Sequence, residues 1–170
     1  FLTPTPYGDQ ADVLLSDAPG GVLNQYNVLL AAGRLTIDAE LADKLNAFVE
    51  QGGHLVITAE NARRLWPKWK IGEPLARPTD STVVWADGKK TVEVRRIPVC
   101  PASLPKDAEI LARCREMPLV ARIEKGRGRV TLFLTPFGLN EEPLVTGPVA
   151  NEVDKKLACP FVLLSHVRRV

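Results

Sequence analysis

The chain has 170 residues, 45% hydrophobic and 25% charged, the proportions of a globular protein long enough to bury a substantial core. Its 22 Lys and Arg against 20 Asp and Glu leave a net charge of +2, which gives no electrostatic basis for nucleic acid or an anionic membrane as a partner. No apolar segment approaches the roughly 20 residues that span a bilayer, and no cationic leader precedes one.

In chain order, the sequence opens at Phe1 without an initiating Met, in the irregular run Phe1-Leu2-Thr3-Pro4-Thr5-Pro6. Such a start is expected of a processed product or of a domain excised from a larger protein, with a preceding strand or domain missing. The first convincing strand is Val13-Leu14-Leu15, and Asp9, Asp12 and Asp17 around it read as turn residues rather than cation ligands. Residues 27–32 form an almost wholly apolar run before Gly33, as in a parallel strand covered on both faces. Between residues 37 and 51 the spacing of Ile37, Leu41, Leu45, Phe48 and Val49 puts them on one side of a helix. Thr36 is expected to cap its first turn, Asp38 and Glu40 suit its positive end, and Gly52-Gly53 supply a left-handed exit. His54-Leu55-Val56-Ile57-Thr58 returns as a second buried strand and completes a right-handed strand–helix–strand unit.

Beyond Glu60 a short helix over 61–65 meets Trp66-Pro67-Lys68-Trp69-Lys70 and the prolines at 74 and 78. This stretch divides a single domain over 1–170 into an α/β half, 9–65, and a β-rich extension, 79–140. Residues 82–85 and 91–94 flank Asp87-Gly88, a tight hairpin. Another strand covers 109–114, and a second hairpin pairs 118–124 with 129–135 around Lys125-Gly126-Arg127-Gly128. Residues 160–169 are expected to form a short helix with Pro160 in its first turn. The fold class is therefore α/β: an open, mainly parallel sheet with helices on both faces, plus C-terminal β-hairpins. Arg63-Arg64, Arg95-Arg96 and Arg168-Arg169 are isolated pairs that read as solvated surface.

Two stretches resemble the class I glutamine amidotransferase-like superfamily, of flavodoxin-like architecture, in the non-catalytic form found as the middle, trimerisation domain of certain β-galactosidases. One is residues 26–33 followed by 41–58, similar to that family's strand, acidic helix, Gly-Gly, strand pattern. The other is Glu124-Lys125-Gly126-Arg127-Gly128-Arg129-Val130, similar to its late hairpin with a Gly-Lys-Gly-Arg-like turn. The resemblance implies a module with a structural, assembly or subunit-contact role, whose partners are the other domains of its parent protein or further copies of itself. In active members the strand matching 55–58 runs into a Gly-x-Cys-x-Gly elbow that exposes a thiolate at a helix start. Here that position reads Thr58-Ala59-Glu60-Asn61, and the late His-x-Glu pair is replaced by His166-Val167-Arg168. No catalytic residue carries over.

The residues themselves offer other candidates. Thr58 or Ser81 as a hydroxyl nucleophile, with Glu60 as acid or base, would make a divergent hydrolase at the C-terminal edge of strand 54–58, where ligands bind in open α/β sheets. Glu60 flanking a helix start is the simpler reading, because no histidine or second carboxylate is placed near it. His54 lies at the opposite end of that strand. Trp66 and Trp69, interleaved with Lys68 and Lys70, would suit a carbohydrate platform if both rings were exposed and coplanar; the alternative is that they plug the edge of a core. Cys100, Cys114 and Cys159 have no metal-ligand spacing, so no metal or cofactor is expected, while a Cys100–Cys114 disulfide and the redox compartment stay open. Arg113 and Arg115 flank Cys114 but point to the opposite face of an alternating strand, which favours a buried, inert thiol there. Gly126-Arg127-Gly128 joins two strands and offers no phosphate-binding helix end.

Overall fold

A computed structural model describes residues 11–31, 35–75, 80–135 and 161–165, with the side chains of 11–13, 80, 81, 91–96 and 161–165 excepted. Among the described residues, nine strands form one mixed sheet. In chain order these are β1 (Ala11–Leu15), β2 (Val28–Ala31), β3 (His54–Thr58), β4 (Asp80–Trp85), β5 (Lys90–Ile97), β6 (Glu109–Cys114), β7 (Met117–Lys125), β8 (Gly128–Phe133) and β9 (Phe161–Ser165). Their spatial order is β1-β9-β2-β3-β8-β7-β6-β4-β5. The pairings from β1 through β9, β2 and β3 to β8 are parallel, and those from β8 through β7, β6 and β4 to β5 are antiparallel.

This arrangement corrects the expected layout at two points. The sheet is parallel in one half only, because the hairpins extend it instead of forming a separate layer. Strand β8, which belongs to the β7–β8 hairpin, lies parallel against β3, with Leu55 opposite Val130 and Ile57 opposite Leu132. The second correction concerns residues 160–169, expected as a helix: residues 161–165 are β9, inserted between β1 and β2 and hydrogen-bonded to both. Phe-Val-Leu-Leu is too short an apolar run to reveal its period, and a slot with open ladders on both sides selects the extended form.

Helix α1 spans Gly20–Leu23, α2 spans Ala39–Glu50 and α3 spans Ala59–Leu65, followed by a 3₁₀ turn over Pro67–Trp69. Leu41, Leu45, Phe48 and Val49 of α2 are buried, as the spacing predicts. Its cap is not Thr36. The Leu41 N–H donates to Asp38 Oδ1 (2.8 Å), since Asp38 is the last extended residue before the helix begins at Ala39. Ile37 consequently lies outside the helix, although still half-buried. Helices were expected on both faces of the sheet, but the described ones share one face: α1 packs on α2, and the Trp66 indole N–H at the end of α3 donates to Asn46 Oδ1 of α2 (3.0 Å).

The two glycine-containing stretches that carry the family resemblance meet in space. The β7–β8 turn sits on the exit of α2, where the Arg127 N–H donates to the Glu50 carbonyl (3.3 Å) and the Arg129 N–H to the Gly53 carbonyl (3.2 Å). Lys125 Nζ adds an exposed pair with Glu50 Oε1 (3.2 Å). A Cβ on Gly128 would lie 2.3 Å from the carbonyl oxygens of both Gly53 and Val49, so only glycine fits this approach. Gly126 combines positive φ (61°) with a hypothetical Cβ 2.8 Å from Glu50 Cα. The turn is a packing joint between α2 and the β3–β8 pair.

The Asp87-Gly88 hairpin forms as predicted, with the Gly88 N–H donating to the Trp85 carbonyl (2.9 Å) and the Lys89 N–H to Asp87 Oδ1 (3.1 Å). Asp17 sits in the turn after β1, and Asp12 lies within β1 itself, while Asp9, Cys159, His166, Arg168 and Arg169 lie outside the described residues.

Candidate functional site

The place to look for chemistry is the C-terminal edge of the parallel strands, where β3 hands over to α3. Thr58 is the last residue of β3 and occupies the N-cap position of α3, in extended backbone. Its hydroxyl does not cap the helix: Oγ1 is buried with no hydrogen-bond partner, and the residue is 3% exposed. Glu60 lies half-buried in the first turn of α3.

Asn61 occupies the centre of this edge and is fully buried. Its Nδ2 donates to the Ala31 carbonyl (3.1 Å), and its Oδ1 accepts from the Leu35 N–H (3.1 Å). One side chain thus satisfies two backbone groups where the chain leaves β2 and ties that exit to α3. Sequence reading assigned Asn61 only to a helix start, because its partners lie 26 and 30 residues away.

Arg63, two residues further on, bonds Glu73 and donates through Nη2 to the Gly72 carbonyl (2.6 Å). The Gly72 N–H in turn donates to the Pro101 carbonyl (2.7 Å), and the Cys100 N–H to the Leu134 carbonyl (2.8 Å). Cys100 is therefore delivered to the edge, just beyond the end of β8, by a segment that lies well after α3, which ends at Leu65, in sequence. It is 1% exposed. Burial pushes its thiol up from 9.0 to about 11; Arg63 pulls the other way, while Glu73 and Glu60 add to the rise. The group is a protonated thiol at neutral pH, the opposite of an activated nucleophile. Cys114 is also buried, and neither thiol is in a disulfide.

The remaining candidates do not converge on this edge. Ser81 lies on β4, with β8, β7 and β6 between it and Thr58. His54 is at the other end of β3, about 13 Å from Thr58 along the strand, where its Nε2 lies 2.8 Å from Thr131 Oγ1. Trp66 and Trp69 touch, with ring centroids 4.3 Å apart and planes inclined by 36°. Trp69 is buried and Trp66 is half-buried with its N–H held by Asn46, so the pair presents no two coplanar exposed rings. Among the described residues no group of three or more His, Cys, Asp or Glu could hold a metal ion. No described helix is long and apolar enough to cross a membrane.

A mixed α/β domain built on one open sheet is the class that these observations define. No family model matches the chain, and no curated protein matches it. Solved structures share its fold. A cytoplasmic protein from Salmonella typhimurium superposes with a TM-score of 0.58 at 15% identity, covering 82% of this chain and 76% of its own. Gan42B, a GH42 β-galactosidase from G. stearothermophilus, gives a TM-score of 0.55 at 18% identity, over 81% of this chain and 22% of the enzyme. The cold-adapted β-galactosidase from Rahnella sp. R3 gives 0.55 at 16% identity, over 82% and 24% respectively. This chain thus spans under a quarter of those two glycosidases, in keeping with a likeness to one part of them.

Proposed function

We propose that this chain is a single, non-catalytic, amidotransferase-like module of flavodoxin-like ancestry that organises a larger, carbohydrate-active protein or its subunit contacts. The observation that carries this reading is the content of the β3 edge. In the stretch that matches the elbow, Thr58 is buried without a partner and Asn61 is consumed in holding backbone, and the nearby Cys100 thiol is neutral. Each group serves packing rather than a reacting atom. Support for the larger context comes from the glycosidases in which a similar fold makes up 22–24% of the chain.

Such a module acts through its surface, on neighbouring domains of its parent protein or on a second copy. Among the described residues the exposed large hydrophobics are Leu15, at the end of edge strand β1, and Leu75. This favours contact through sheet edges and loops over a broad apolar face. A hydrolase built on Glu60 with Thr58 or Ser81 lacks comparable support, as does a sugar platform built on Trp66 and Trp69.

The test is sedimentation velocity over a concentration series, on the isolated chain and on the full reading frame that contains it. Concentration-dependent association, or docking onto a neighbouring domain, is the expected result. A strict monomer at high concentration that also moves independently of every neighbouring domain would overturn the assembly role. Hydrolysis abolished by Glu60→Gln in a folded protein would overturn the non-catalytic one.

A further inference from the structure

Residues 69–75 and 99–103 run antiparallel to one another over the end of β8. The Ser103 N–H donates to the Trp69 carbonyl (2.8 Å), the Gly72 N–H to the Pro101 carbonyl (2.7 Å) and the Leu75 N–H to the Val99 carbonyl (3.2 Å). Neither segment belongs to the sheet, so these bonds form a small two-stranded piece outside the ladder of the nine described strands, tied to its end by the Cys100 N–H on the Leu134 carbonyl. The near end of the first segment is a bend at Lys70, whose φ of 45° is a left-handed conformation that a non-glycine residue adopts at a cost. Its middle is held by Arg63, which grips the Gly72 carbonyl and the Glu73 carboxylate at once. Glu73 is largely exposed, so the latch is formed at the surface, while Cys100, whose thiol feels the charges of both Arg63 and Glu73, is 1% exposed.

We propose that residues 70–75 form a latch-held strap that opens as a unit about Lys70 and uncovers the Cys100 thiol together with the C-terminal end of β8. The observations align on one motion. Only Ile71 anchors the strap in the core, since Gly72 and Pro74 are half-buried and Glu73 and Leu75 exposed. Two of its backbone N–H groups, those of Gly72 and Leu75, donate to the segment that carries Cys100. Local opening of a region with few buried apolar contacts and peripheral hydrogen bonds lies at the low end of a protein's stability range. The strap is tied to α3 by Arg63 and to the segment whose Cys100 N–H bonds the Leu134 carbonyl just past β8, so its opening would act at the strand ends where open α/β sheets bind ligands.

Cys100 is the reporter. Full-length protein is pulsed with iodoacetamide at fixed pH, and alkylation of Cys100 is followed by mass spectrometry with buried Cys114 as internal reference. Arg63→Ala removes both grips and is expected to raise the Cys100 rate about tenfold, because a charged hydrogen bond to backbone is lost. Glu73→Gln cuts only the exposed pair and should raise it about two- to threefold. Cys114 should stay at its wild-type rate in both. An unchanged Cys100 rate in either folded variant overturns the proposal, as does a parallel rise of Cys114, which reports global unfolding. If Arg63→Ala does not fold, native-state hydrogen exchange on the wild type decides: Gly72 and Leu75 amides exchanging together and faster than the β3 and β8 amides support the strap, and exchange only through global unfolding overturns it.

Discussion

Replacing Gly128 by alanine tests the joint between the β7–β8 turn and the exit of α2. The added methyl would start 2.3 Å from two carbonyl oxygens, those of Gly53 and Val49, about 1.1 Å inside the 3.4 Å at which ordinary contact begins. Both oxygens belong to backbone. Val49 is in the last turn of α2, with its side chain fully buried, and Gly53 accepts the Arg129 N–H that starts the β3–β8 ladder. Neither can rotate away as a side chain would, so relief requires α2 to lift or β8 to part from β3. Overpacking of this kind costs typically 1–3 kcal/mol, and weakening the Arg129 bond adds about 1. The expected loss is therefore about 3 kcal/mol, read as a fall in denaturant midpoint at unchanged m, or about 6–12 °C in Tm for a domain of this size. Gly21→Ala is the control: it lies in α1 with nothing within 4 Å of its hypothetical Cβ, and should be neutral or slightly stabilising. If Gly128→Ala is as stable as Gly21→Ala, the joint does not bear on stability and the packing argument fails.

Three further outcomes follow from the β3 edge. Thr58→Val removes a buried hydroxyl that has no partner and keeps its volume, so stability should hold or rise by up to about 1 kcal/mol in chemical denaturation; a loss above that would mean the hydroxyl is bonded. Asn61→Ala strands the Ala31 carbonyl and the Leu35 N–H in the interior and should cost about 3 kcal/mol, with amide exchange at Leu35 rising ahead of β3; an effect below about 1 kcal/mol would refute the bracket. For Cys100 the folded pKa is raised, so the unfolded chain loses its proton first as pH increases. Its stabilising effect is complete below pH 9.0 and lost by about 11, a decline of about 2–3 kcal/mol, which Cys100→Ala should remove from the pH profile.

The elements carried by periodicity were legible in the sequence. The stripe Leu41, Leu45, Phe48 and Val49, the apolar runs of β2 and β3 and the Asp87-Gly88 turn state their conformations locally, within a few residues, and the structure uses each as read. Cys114 is buried beside exposed Arg113, as alternation predicts, whereas Arg115 is exposed because it sits in the β6–β7 turn with a φ of 53°. Where pattern and chemistry were local but ambiguous, the reading missed by small steps, as with Asp38 taking the cap from Thr36.

What the chain could not declare by itself is everything decided by partners distant in sequence. Five residues at 161–165 become strand only because β1 and β2 leave a slot between them. The two glycine stretches at 52–53 and 126–128 become one joint only when β8 docks on β3. Asn61, Arg63 and Cys100 acquire roles from groups that arrive from other elements, whether the Ala31 carbonyl, the Gly72 carbonyl or the end of β8. Propensity and hydrophobic period act over a single turn or pleat, whereas hydrogen-bond satisfaction and close packing act between whatever segments the topology brings together. The sequence by itself therefore determined the strands and the helix of the parallel half, and tertiary structure alone determined that Asn61 ties the exit of β2 to α3 and that Arg63 ties α3 to the Gly72 carbonyl.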